Sequence, residues 1–119
     1  MRQDKLTSSF QLALADAQSL ALGRDHSFLE PVHLGLALVD QAGGTIRPLL
    51  DRAGVNMTQL RSKLVEAVDR LPRVEGHGDE VHISNDLTRL LNACDKAAHL
   101  IDRFLNRCLL ATGILQSTP

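Results

Sequence analysis

Apolar residues in this chain recur at steps of three and four, in stretches separated by glycine, proline and polar clusters. Leu6, Phe10, Ala13/Leu14, Ala17 and Leu20/Ala21 form the first stretch. That period predicts a helix, beginning near Asp4 or Thr7, with one face turned to a core. Its alanines let another helix approach closely. The pattern stops at Gly23, which tolerates positive φ at a helix end. Arg24, Asp25, His26 and Ser27 then read as a polar turn, and Phe28-Leu29 as a return to the core. Pro31 suits the first position of a second helix, where its missing N–H costs nothing, and Glu30 faces the positive end of that helix dipole. The second helix runs to about Asp40 and is apolar nearly all round, which predicts a central, mostly buried element.

Gln41-Ala-Gly-Gly44 breaks that helix. A short one is predicted from about Thr45 to Arg52, with Ile46, Leu49 and Leu50 inward. Gly54 ends it, and Asn56 or Thr58 caps a fourth helix. Leu60, Leu64 and Val68 form the stripe of that helix, while Arg61, Lys63, Glu66, Asp69 and Arg70 face water. Leu71-Pro72 stops it. Glu75-Gly-His-Gly-Asp-Glu80 is too polar and glycine-rich for helix, and Val81-His-Ile83 alternates like a brief strand. Ser84, Asn85 or Asp86 caps a fifth helix carrying Leu87, Leu90/Leu91, Cys94 and Ala97/Ala98. Asp102-Arg-Phe-Leu105 reads as a second polar turn with a Phe hinge, and a last helix runs from about Asn106 to Leu115.

Slid against itself, the chain repeats. Phe10 falls on Leu87, Ala17 on Cys94 and Ala21 on Ala98; past the turn, Phe28-Leu29 falls on Phe104-Leu105, Leu34 on Leu110 and Leu38 on Ile114. The reading is an all-α fold of two helical hairpins. The first repeat covers about 1–70, the linker about 71–84 and the second, incomplete repeat about 85–119, with a groove along the shared face.

Totals remove several function classes. Thirteen Lys+Arg against 14 Asp+Glu leave a net charge of −1, so no bulk field draws nucleic acid or anionic lipid. Phe10, Phe28 and Phe104 are the aromatic residues besides histidine, too few for a base-stacking platform. No apolar run reaches the length of a membrane span, and no secretory leader is evident. Cys94 and Cys108 both fall on helical stripes, which fits core packing in a reduced, cytoplasmic setting.

Reactive chemistry is equally sparse. No Gly-x-x-x-x-Gly-Lys-Ser/Thr occurs, so ATP hydrolysis by a P-loop is excluded. Gly43-Gly44 reads as a helix break. His26, His33, His77, His82 and His99 show no helical pair with a third ligand, although His77 and His82 share a loop with Asp79 and Glu80. His33, in the first turn of a buried helix, reads as a packed, hydrogen-bonded residue. No catalytic residue, cofactor or metal is expected in this chain.

Three segments then point to a family: Phe10–Leu22, Phe28-Leu-Glu-Pro-Val-His-Leu34 and Leu49-Leu-Asp-Arg-Ala-Gly-Val-Asn56. They resemble the N-terminal repeat domain of the Clp ATPases, and 71–79 resembles the linker of the ClpB disaggregase branch. The resemblance implies a double hairpin that engages unfolded or aggregated polypeptides. It also implies delivery to AAA+ modules of the same protein, a hexamer using ATP and magnesium. By the same resemblance Thr7, Asp102, Leu109 and Leu110 are substrate-binding positions. Thr7 and Asp102 also suit helix caps, and of Leu109 and Leu110 one is core and the other groove-lining.

Past Ala98 the resemblance weakens. Cys108 stands where relatives carry a glutamate, Ala93 where they carry a larger apolar residue, and the closing helices are missing or altered. The expectation is a fragment or a diverged version whose uncovered apolar face self-associates. Two other readings remain open. One is an adaptor- or degron-docking module, as in the ClpA and ClpC branches; the other is a helical nucleic-acid binder or free-standing scaffold, which the balanced charge disfavours.

Overall fold

The computed structural model describes residues 7–74 and 80–112, the last five of these as helix backbone only. Five helices and one two-stranded sheet follow in chain order: α1 (Ser8–Gly23), β1 (Phe28–Leu29), α2 (Pro31–Asp40), α3 (Ile46–Arg52), α4 (Met57–Asp69), β2 (His82–Ile83) and α5 (Asn85–Thr112). The all-α class expected from the periodicity is what forms.

The first hairpin is closed by small residues. Ala13, Ala17 and Ala21 are fully buried on α1, one helical turn apart. With only methyl groups on that face, α2 packs close and sets Leu34 and Ala37 against it. The open end is latched by Gln41, whose Nε2 donates to the Ser9 carbonyl at 2.8 Å. At the turn, the positive φ falls on Asp25 (φ 59), not on Gly23; a short polar side chain is among the few that accept this region. Of the two residues expected to re-enter the core, only Leu29 does (1% exposed), while Phe28 is 52% exposed. Alternation explains this, because β1 pairs in parallel with β2, Phe28 opposite His82 and Leu29 opposite Ile83, and adjacent strand residues face opposite ways.

α2 is the central element, with His33, Leu34, Leu36, Ala37 and Val39 buried. α4 crosses it at Gly35, where an added methyl would meet the Leu64 side chain at 3.4 Å. The crossing is framed by ion pairs: Arg61 grips Asp40 through two nitrogens at 2.7 and 3.1 Å, and Arg24 pairs with Asp69. Asn56 caps α4 by accepting from the Gln59 N–H at 3.1 Å. α3 is only propped on this frame. Ile46 and Leu50 are half-buried, but Leu49 points out at 64% exposure, so α3 seats only one edge of its apolar face on the body.

The second repeat departs from expectation. Ser84 caps α5, its Oγ accepting from the Leu87 N–H at 3.0 Å, and Leu87 and Leu91 join the core of the first hairpin. No turn follows at 102–105: α5 runs unbroken through Asp102, Arg103, Phe104 and Leu105 to Thr112. Those four residues contain neither glycine nor proline, and nothing in them opposes helical φ and ψ. Cys94, expected in a core, is exposed, because the helix that would cover it does not fold back. The molecule is drawn out to 58 × 32 × 21 Å.

Candidate functional site

Two surface features carry chemistry. One is the outer part of α5. Beyond Leu91 every described side chain is exposed except Asp95, which is half-buried. Leu100, Ile101, Phe104 and Leu105 are 64, 59, 66 and 50% exposed. Ile101 and Leu105 stand four apart and Phe104 lies between their turns, so the three share one face. Asp102 borders it, exposed, on the same turn as Ile101. Arg103 and Arg107 stand across from Asp102, and with Leu100 and Phe104 they line a broad, open depression.

Of the four predicted site residues, Thr7 and Asp102 have described side chains. Thr7 is exposed and caps α1, its Oγ1 accepting from the Phe10 N–H at 3.1 Å; its capping role is therefore seen. Asp102 sits eleven residues past Leu91, the last buried position among the side chains of α5 that are described, which is about 16 Å along a helix. It lies within the helix and caps nothing. The side chains of Leu109, Leu110 and Cys108 lie outside the described residues, as do His77 and Asp79.

The second feature escaped sequence reasoning. A cleft of about 200 Å³ opens between the α1–α2 turn and the chain after α4, lined by His26, Phe28, Glu30, Leu71, Pro72 and Val74 among others. Its wall is a relay of hydrogen bonds. The Glu30 N–H donates to His33 Nδ1 at 2.9 Å, so the proton of neutral His33 sits on Nε2. That nitrogen lies 2.8 Å from His26 Nδ1, which must accept, leaving His26 to donate from Nε2 to the backbone of Leu71. Both rings are buried. Burial, and then repulsion from His26, push the His33 pKa down to about 4 against the pull of Glu30. His26 is lowered chiefly by burial, and also by Arg73 and Arg24. His33 is the packed, hydrogen-bonded residue its position implied. One carboxylate oxygen of Glu30 is buried without a hydrogen-bond partner among the described residues. The signal that could have found this feature was histidine seven residues from histidine, spanning a turn and a helix start.

Among the described residues no three His, Cys, Asp or Glu converge to hold a metal, and no helix is long and apolar enough to cross a membrane.

Comparison with known proteins is consistent along most of the chain. The model of the Clp repeat (R) N-terminal domain matches residues 5–106. Curated relatives include the chaperone protein ClpB of Vibrio cholerae, 59% identical over 98 residues, covering 82% of this chain and 11% of the relative. The chaperone protein ClpB of Pseudomonas putida is 51% identical over 98 residues, covering 82% of this chain and 12% of the relative. That of Rhodopirellula baltica is 31% identical over 117 residues, 98% of this chain and 13% of the relative. The chain thus spans roughly a tenth of the length of these relatives.

Proposed function

The chain belongs to the Clp repeat N-terminal domain family, and from that we propose that it is the client-engaging N-terminal domain of a ClpB-type AAA+ disaggregase. In this reading it binds exposed apolar segments of unfolded or aggregated proteins in the cytoplasm. It then passes them to AAA+ modules of the same protein, which form a hexamer and use ATP and magnesium. The observation that carries the proposal is the uncovered apolar face of α5 at Ile101, Phe104 and Leu105, with Asp102 on its border. Such a face gains about 25 cal/mol for each Å² of apolar surface it removes from water, without requiring a particular sequence. Bordering charges keep it soluble when empty. Loose, unselective contact suits a domain that must release what it hands on.

The test is an NMR titration of the 119-residue chain with an unfolded, apolar-rich polypeptide and no nucleotide. Saturable shifts at Ile101, Asp102 and Phe104 are the expected result. A titration that leaves those resonances unmoved removes the proposal. Tight, selective capture of one folded partner in place of unfolded chains would favour the adaptor-docking alternative.

A further inference from the structure

We infer that residues 71–74, the chain that leaves α4, form an acid-released strap: protonation of the His26–His33 pair frees them from the α1–α2 turn while the helices stay folded. The inference concerns the cleft and does not rest on the client-engaging reading.

The strap is tied by little. The Val74 N–H donates to the Asp25 carbonyl at 2.8 Å, and His26 Nε2 donates to the backbone of Leu71. Of the four side chains only Leu71 is half-buried; Pro72, Arg73 and Val74 are exposed. Release therefore breaks two hydrogen bonds and uncovers part of one leucine. Unfolding, by contrast, uncovers the whole core shared by α1, α2 and α5. Local opening of so lightly held a segment is the cheaper excursion.

Proton counting makes that excursion respond to acid. The relay runs in one direction, from the Glu30 N–H to His33, from His33 to His26, and from His26 to Leu71. It uses every ring nitrogen, one donor and one acceptor on each ring, which is what two neutral imidazoles supply. An added proton turns an acceptor into a donor. No choice of tautomers then keeps all the bonds, and the new charge is buried.

Opening relieves the pair from the cleft side. His33 is fully buried, whereas His26 lines the cleft beside Leu71, Pro72 and Val74. Departure of the strap lets water reach His26, so the burial that most opposes a proton there is undone. It also takes away Arg73, whose positive charge opposes the same proton. The remaining charges stay in place. Arg24, paired with Asp69, opposes a proton on His26, Asp25 favours it, and Glu30 favours one on His33. On the side of β2, His82 packs against the Phe28 ring. The open form thus binds a proton more tightly than the closed form, and its population rises as pH falls. At neutral pH both rings are uncharged and the strap is closed.

The experiment is amide hydrogen exchange of the full 119-residue chain from neutral pH to about pH 4.5, read by NMR and corrected for the intrinsic pH dependence of exchange. Expected is a loss of about tenfold or more in protection at the Val74 amide, with Ala17 and Leu36 still protected and the far-ultraviolet helix signal unchanged. Histidine ring signals from the same samples should titrate together with that loss. Arg73→Gln, at an exposed position, should move the release to lower pH, because the closed form then opposes the proton less. His26→Gln keeps an N–H for Leu71 without a titrating ring, and should leave Val74 protection independent of pH. Circular dichroism establishes that each variant keeps its helices. Val74 protection that ignores pH in the parent chain overturns the inference. So does loss of protection at Val74 and in the core in one transition, or release in a folded His26→Gln chain that matches the parent. Should that variant not fold, Arg73→Gln decides, and release at unchanged or higher pH overturns the inference.

Discussion

His26 and His33 share one hydrogen bond of 2.8 Å between buried ring nitrogens, and the Glu30 N–H decides which ring donates. A proton added to His26 would oppose the His33 Nε2–H across this bond, and one added to His33 would oppose the Glu30 N–H. The bond ties the α1–α2 turn to the first turn of α2, beside the chain that follows α4 at Leu71. Protonating either ring puts a charge into an apolar site or sets donor against donor.

Stability should therefore depend on pH in a defined window. His33 titrates near 4 in the fold, against about 6.5 when unfolded. His26 is shifted in the same direction. Between those values the unfolded chain binds more protons, so stability is full above about 6.5 and falls as pH drops toward 4. The loss should be on the order of 3 kcal/mol from His33 alone, with His26 acting in the same direction. Urea midpoints measured against pH check this, and a His33→Gln chain should be less stable at pH 7 but flatter below it.

The two ends of α5 should respond differently to the same truncation. Leu87 is fully buried, and Leu87→Ala should cost about 2–5 kcal/mol. Leu105 is half exposed, and Leu105→Ala should change the stability of the monomer by less than about 0.5 kcal/mol. Chemical denaturation measures both.

Close approach of α1 and α2 depends on methyl-sized side chains. Ala17→Leu should destabilise by about 1–3 kcal/mol or more through overpacking. Ala15→Leu, at an exposed position on the same helix, should be nearly neutral. Melting temperatures of the two variants make the comparison.

Thr7 separates capping from client contact. Thr7→Ala should cost about 1 kcal/mol through loss of the bond to the Phe10 N–H. Thr7→Asn keeps a capping oxygen and should hold the melting temperature. In the client-engaging reading, Thr7→Asn still weakens binding of an unfolded polypeptide. Unchanged binding in that variant would assign Thr7 to capping alone.

Much of this architecture was legible in the sequence because local signals and packing agree. Alanine spacing, Pro31, Asn56 and Ser84 place the first four helices and the start of the fifth. The errors share one cause. Residue type and spacing put Phe28, Leu49 and Cys94 in a core, yet whether each is covered depends on a neighbour that periodicity cannot supply. Likeness to 25–29 predicts a turn at 102–105. But Asp25 adopts positive φ where the first hairpin reverses, and the second segment has helix-compatible residues throughout. The histidine relay leaves only the seven-residue spacing of His26 and His33 as a sequence signal, because its partners come from separate elements. As for the candidate site, the residue types at 101–105 were visible, but their exposure was not.

The length of α5 has a last consequence. Its inner turns are anchored by Leu87 and Leu91, whereas residues 92–107 of an isolated chain depend on their own backbone ladder. Such a segment frays on the sub-microsecond scale of a peptide helix and melts below the temperature at which the anchored body unfolds. Far-ultraviolet and core-reporting probes should then give separate transitions. Amide protection should decline steadily from Leu91 outward, so the outer turns behave as a tether whose order is conferred by whatever lies against them.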